Sequence, residues 1–95
     1  MTRDDILATI RANEPRLREL TVRELALFGS FARGEQTESS DIDFYVEFDR
    51  KTLDNYMGLR RLLENLFQRK IDLGIKSNIK PRLREQILSE AVRAA

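Results

Sequence analysis

Residues 27–48 read LFGSFARGEQTESSDIDFYVEF: a Gly29-Ser30 pair, ten residues, then Asp41 and Asp43 on either side of one isoleucine. From Asp41 the chain alternates strictly, with Ile42, Phe44, Val46 and Phe48 on one face and Asp41, Asp43, Tyr45 and Glu47 on the other. A period of two marks a β-strand, here with one dry and one polar face. Asp41 and Asp43 then point the same way, their Cα atoms roughly 6.5 to 7 Å apart, so that both carboxylates can meet on one cation. Upstream, VRELALF predicts a strand from Val22 to Phe28 that ends at Gly29 and Ser30. SFAR suits a brief helical turn, and Gly34 to Ser40 is a polar loop.

The flanking segments supply helices. Thr2 and Asp5 imitate a capping box, and Ile6, Leu7 and Ile10 recur at helical spacing, which predicts a helix from about Arg3 to Ala12. Pro15 suits the start of a short second helix with Leu17 and Leu20 inward. Tyr56, Leu59, Leu62, Leu63, Leu66 and Phe67 repeat at three and four, an amphipathic helix from Leu53 or Asp54 to Gln68. KIDLGIK alternates again, with Ile71, Leu73 and Ile75 on one face and Lys70, Asp72, Gly74 and Lys76 on the other. A last helix is predicted to start at Pro81 and to bury Leu83, Ile87, Leu88, Ala91 and Val92. The expected fold is α+β, a small mixed β-sheet with helices packed on one face, and residues 1–95 are read as one domain because so short a chain cannot support a second core.

Composition narrows the chemistry. Cysteine and histidine are both absent, which removes disulfides, thiolate nucleophiles, Ser-His-Asp triads and ordinary zinc sites. Carboxylates, hydroxyls, lysine and arginine remain. Seventeen basic residues face sixteen acidic ones, and the net charge of +1 gives no general drive toward long nucleic acid or an anionic membrane. No apolar run approaches the roughly 20 residues that span a bilayer, and MTRDDILATI lacks the apolar core of a secretion signal, so a cytoplasmic location is the expectation.

If the two alternating strands are neighbours, Asp72 joins Asp41 and Asp43 on the side away from the helices. Three gathered like charges repel, and a divalent cation relieves the conflict; all-oxygen ligands select magnesium or manganese over zinc. Gly29 permits a tight turn and close backbone approach, while the amides opening SFAR and the Ser30 hydroxyl are donors suited to phosphate. A triphosphate fits between these donors and the acids. Two magnesium ions about 3.5 to 4 Å apart can clamp an in-line displacement at phosphorus.

The segment GSFARGEQTESSDID resembles the GSx10DxD signature of the polymerase-beta-type nucleotidyltransferase superfamily, matching its spacing from Gly29 and Ser30 to Asp41 and Asp43. With its length, the KIDLGIK strand and the ending IKPRLREQILSEAV, the chain is similar to the minimal nucleotidyltransferase (MNT) proteins of prokaryotes. That resemblance implies magnesium ligation by Asp41, Asp43 and Asp72, and phosphate contacts at Gly29 and Ser30. Gly74, two residues after the third acid, departs from the larger residue usual in the family and is expected to loosen the strand there. The resemblance also implies ATP as substrate and a HEPN-domain ribonuclease toxin as partner, with AMP moved onto a toxin tyrosine within a hetero-oligomer. Two other functions stand beside this one: neutralisation of a toxin by stoichiometric binding, and nucleotidyl transfer to a small molecule or an RNA end. Arg33, Lys80 and Arg82 are further candidates for contacts with triphosphate or partner, Glu47 is a less central acid, and Tyr45 is placed to cover the open face of the sheet.

Overall fold

The computed structural model describes residues 1–95. Its elements are α1 (Arg3–Ala12), α2 (Glu14–Glu19), β1 (Val22–Phe28), α3 (Gly29–Arg33), β2 (Ile42–Phe48), α4 (Leu53–Phe67), β3 (Ile71–Ile75), a 3-10 turn (Lys76–Asn78), α5 (Pro81–Glu90) and β4 (Val92–Arg93). The capping box at α1 is complete: the Thr2 hydroxyl accepts from the Asp5 N–H, and the Asp5 carboxylate accepts from the Thr2 N–H. Thr52 caps α4 from one side only, its hydroxyl accepting from the Asn55 N–H. Such caps satisfy amides that the first helical turn leaves without partners, and each contributes about 1 kcal/mol.

The four strands lie in the order β3-β2-β1-β4. β1 and β2 are antiparallel, whereas β2 and β3 are parallel and joined through α4. The parallel register sets Asp43 opposite Asp72, and the antiparallel register sets Asp43 opposite Phe28, the residue before Gly29. Since side chains on paired strand residues share a face, these two registers bring the Gly-Ser turn and two acids to one place.

The dry face of the sheet carries the core. Leu25, Leu27, Ile42, Phe44, Val46, Ile71 and Leu73 pack against Ile6, Ile10, Leu17, Leu59, Leu62 and Leu63 from α1, α2 and α4. Each such side chain taken from water stabilises the fold by about 1.5–3 kcal/mol. The ladder runs without a break through Gly74, which pairs with Tyr45. Tyr45, though on the polar face, is buried: its ring stacks on Phe28 with centroids 6.1 Å apart, and Lys76 Nζ lies 5.8 Å from its centroid. Lys76 is held there by Glu24, 2.8 Å away.

The C-terminal segment differs from the sequence expectation in two ways. The helix at Pro81 buries no side chain, and Leu83 and Leu88 are exposed. It then stops at Glu90, so that Ala91 is its cap and Val92 opens a fourth strand pairing with Leu27. The helical stripe is real, but the surface nearest α5 is the polar face of the sheet, already filled by Tyr45, Glu24 and Lys76. Arg84 Nη1 donates to the Lys76 carbonyl at 2.9 Å, a polar attachment in place of an apolar one. No helix is long and apolar enough to cross a membrane.

Candidate active site

Gly29 adopts φ +74°, a conformation that L side chains rarely hold. It turns the chain out of the extended Phe28 and into α3, and its Cα faces the Asp43 side chain. A Cβ built on Gly29 would fall inside the Asp43 carboxylate, 3.0 Å from its Cγ. Glycine is therefore required twice, by the dihedral angle and by the carboxylate packed against it. Ser30 follows in the first turn of α3 and is half-buried; its carbonyl accepts the N–H of Gly34 and, at 2.9 Å, of Glu35.

The acids gather unevenly. Asp43 is half-buried, and burial followed by the charges of Asp72 and Asp41 pushes its carboxyl up from an ordinary 3.8 to about 6. Arg33 acts weakly in the opposite sense. Asp72 is exposed on β3, the strand at the sheet edge. Asp41 stands just before β2, and its Oδ2 leans toward Lys70 Nζ at 3.8 Å. Asp41 and Asp72 also line one cleft of about 270 Å³ with Tyr56, Arg60, Lys70, Ile71 and Leu73. Tyr56 Oη donates to the Leu73 carbonyl at 2.6 Å, tying α4 to the strand that carries Asp72.

As arranged here, no three acidic side chains close around a single point as a finished metal site. The donor set nevertheless suits a hard divalent cation. It is all oxygen, it comes from neighbouring strands, and burial together with the charges of Asp72 and Asp41 raises the Asp43 carboxyl to about 6, a penalty on its charged form that bound positive charge would offset. Asp41 would complete the set by turning from Lys70, whose exposed ion pair contributes little.

The other candidate residues divide clearly. Arg33 Nε donates to Glu35 at 2.7 Å and Arg33 Nη1 to Glu90 at 3.0 Å, so its guanidinium is occupied within the chain. Glu47 faces outward and lies 3.7 Å from Arg23, apart from the three acids. Lys80 and Arg82 are exposed. Sequence reasoning missed Tyr56 and Arg60 as neighbours of the acids, having placed Tyr56 in the core stripe of its helix. It also missed Glu90, which is 61 residues from the Gly29 it touches.

A Gly-Ser turn packed on paired carboxylates, at the end of a small mixed sheet, defines the nucleotidyltransferase class of fold and site. Comparison with known proteins agrees. The nucleotidyltransferase domain family model matches residues 10–94. Protein adenylyltransferase MntA of Thermococcus cleftensis is 36% identical over 94 residues, covering 97% of this chain and 95% of that protein. A solved structure described as a candidate minimal nucleotidyltransferase superposes with a TM-score of 0.82 at 34% identity, covering 97% of this chain and 95% of the other. A chain of a toxin-antitoxin complex crystallised with AMP-PNP shares the fold, with a TM-score of 0.68 at 22% identity over 100% of this chain and 73% of its own length. The chain belongs to the nucleotidyltransferase domain family, as one of its minimal members.

Proposed function

We propose that this chain is a magnesium-dependent protein adenylyltransferase that moves AMP from ATP to a tyrosine hydroxyl of a cognate HEPN ribonuclease toxin and thereby neutralises it. The observation that carries the reading is the contact of Gly29 with the Asp43 carboxylate, itself in register with Asp72, because it joins the phosphate-side turn to the acids in one site. The protein adenylyltransferase name of the Thermococcus cleftensis relative and the AMP-PNP bound in the toxin-antitoxin neighbour support the nucleotide and the partner class.

In this mechanism the Gly29 and Ser30 backbone and the Ser30 hydroxyl orient the triphosphate, and Asp41, Asp43 and Asp72 would hold the magnesium. When bound, the metal supplies charge neutralisation of the diphosphate and acidification of the acceptor hydroxyl. The acceptor oxygen bonds to the α-phosphorus, the bond from that phosphorus to the bridging oxygen of the β-phosphate breaks, and pyrophosphate leaves with the electron pair. Asp72, the exposed acid at the sheet edge, is placed to receive the hydroxyl proton from an acceptor arriving through the cleft beside it.

The test is incubation of the protein and its HEPN partner with magnesium and ATP labelled at the α or the γ phosphate. Covalent label on the partner from α-ATP alone is expected; label from γ-ATP, or none with both proteins folded and ATP bound, would refute adenylyl transfer. A second reading, neutralisation by contact alone, draws on the exposed Leu83 and Leu88 of α5. It predicts full protection by the Asp41→Asn, Asp43→Asn double variant at equal complex affinity, whereas the transfer reading predicts loss of protection.

A further inference from the structure

Glu90 is the last residue of α5, and its place there is unexpected on local grounds. A carboxylate at a helix C-terminus opposes the helix dipole, and the last turn of α5 contains no basic residue to offset it. The side chain is only 16% exposed in a helix that otherwise buries nothing. Its partners lie outside the helix. Oε1 accepts from the Gly29 N–H at 3.3 Å and from Arg33 Nη1 at 3.1 Å, and Oε2 accepts from Arg33 Nη1 at 3.0 Å.

The backbone fixes this approach from both sides. Two residues after Glu90, Val92 pairs with Leu27, which lies two residues before Gly29. The short antiparallel ladder therefore brings the end of α5 to the start of α3 as a consequence of strand register. Glu90 supplies a charged acceptor to the first amide of α3, which the helix itself leaves unpaired. That amide belongs to the residue whose φ is +74° and whose Cα abuts Asp43.

We propose that Glu90 is a positioning residue for nucleotide binding: it holds the Gly29-Ser30 turn and Arg33 in place from behind, without touching the substrate. The inference rests on the nucleotidyl-transfer reading above and extends it to a residue remote from the signature. Removing the carboxylate frees the turn while leaving Asp41, Asp43 and Asp72 intact, so affinity for the triphosphate falls and the chemical step persists.

The experiment compares wild type, Glu90→Ala and Glu90→Gln. Amide exchange at Gly29 is measured in the protein alone, binding of α,β-methylene-ATP with magnesium is measured directly, and KM for ATP is separated from kcat. Glu90→Ala is expected to exchange at Gly29 about tenfold faster and to bind the analogue about tenfold more weakly, the scale of one lost charged hydrogen bond. Its kcat should stay within about threefold, and its Tm should fall modestly, because losing the bonds to Gly29 and Arg33 outweighs the relief of an unfavourable charge at the helix end. Glu90→Gln, which keeps an oxygen acceptor for Gly29, should fall between the two and serves alone if the alanine variant does not fold. Unchanged exchange and affinity in a folded Glu90→Ala would overturn the inference, as would tighter analogue binding, which would make Glu90 a competitor for the same donors. If wild type binds no nucleotide, the transfer reading fails, and exchange at Gly29 still decides whether Glu90 holds the turn.

Discussion

Replacing Asp43 by asparagine should make the protein more stable at neutral pH while disabling it. The unfolded chain releases the Asp43 proton near 3.8, and the folded chain holds it to about 6, chiefly through burial and the charges of Asp72 and Asp41. Between those values the native state binds more protons than the unfolded state, so stability falls as pH rises, and the loss is complete once pH exceeds the folded value. A separation of about two pH units corresponds to about 3 kcal/mol; because the side chain is only half-buried, solvent screening reduces this to about 1–2 kcal/mol. Asparagine never ionises and can donate to the Asp72 carboxylate. In chemical denaturation with a chelator present, the stability difference between Asp43→Asn and wild type should therefore be smallest near pH 4 and grow to about 1–2 kcal/mol by pH 7. That difference corresponds to a Tm increase of about 5–10 °C for a chain of this size. Millimolar magnesium should narrow the gap, because a bound cation stabilises the wild-type carboxylates. A difference that stays flat across this pH range, or a variant less stable than wild type at pH 7, would refute the reasoning.

Gly29 and Gly34 form a natural control pair, since both have φ +74° but only Gly29 has a carboxylate where a Cβ would go. Gly34→Ala should cost about 1 kcal/mol, the strain of the dihedral alone. Gly29→Ala should cost measurably more in denaturant titration and abolish nucleotidyl transfer; equal costs would mean that Asp43 yields freely. Tyr56→Phe removes the bond to the Leu73 carbonyl and should lower stability by about 1 kcal/mol. It should also speed amide exchange in β3, and unchanged exchange there would detach α4 from the positioning of Asp72.

Much of the structure can be read from local pattern because its elements announce themselves locally. The alternation after Asp41 and in KIDLGIK reappears as β2 and β3, and the Thr2–Asp5 box starts α1 where the cap places it. What escapes the sequence is decided by contacts distant along the chain. A strand of two residues, Val92–Arg93, has no periodicity to detect, and only its pairing with Leu27 and Ala26 makes it a strand. The Leu83, Ile87 and Leu88 stripe has helical spacing, but the sheet surface beside it is already closed by Tyr45 and the Glu24–Lys76 pair, so the leucines remain outside. At the candidate site, the spacing of Gly29, Ser30, Asp41 and Asp43 and the phase of Asp72 were all legible. The lean of Asp41 toward Lys70 was not, because a side-chain rotamer beside an exposed lysine leaves no trace in spacing. Glu90 is hidden for another reason: its local signal is a residue that suits its helix badly, and the compensation lies across the fold.

The central claim is that Asp41, Asp43 and Asp72 perform nucleotidyl transfer with the Gly29-Ser30 turn. It is tested most directly by single-turnover transfer of labelled AMP from ATP to the proposed HEPN partner, with magnesium saturating, for wild type, Asp43→Asn and Asp72→Asn, each shown to be folded. The account predicts stoichiometric labelling by wild type and a fall of at least about a hundredfold in each variant, since even outer partners of metal ligands are worth 10- to 100-fold. Transfer by Asp43→Asn at the wild-type rate would contradict it.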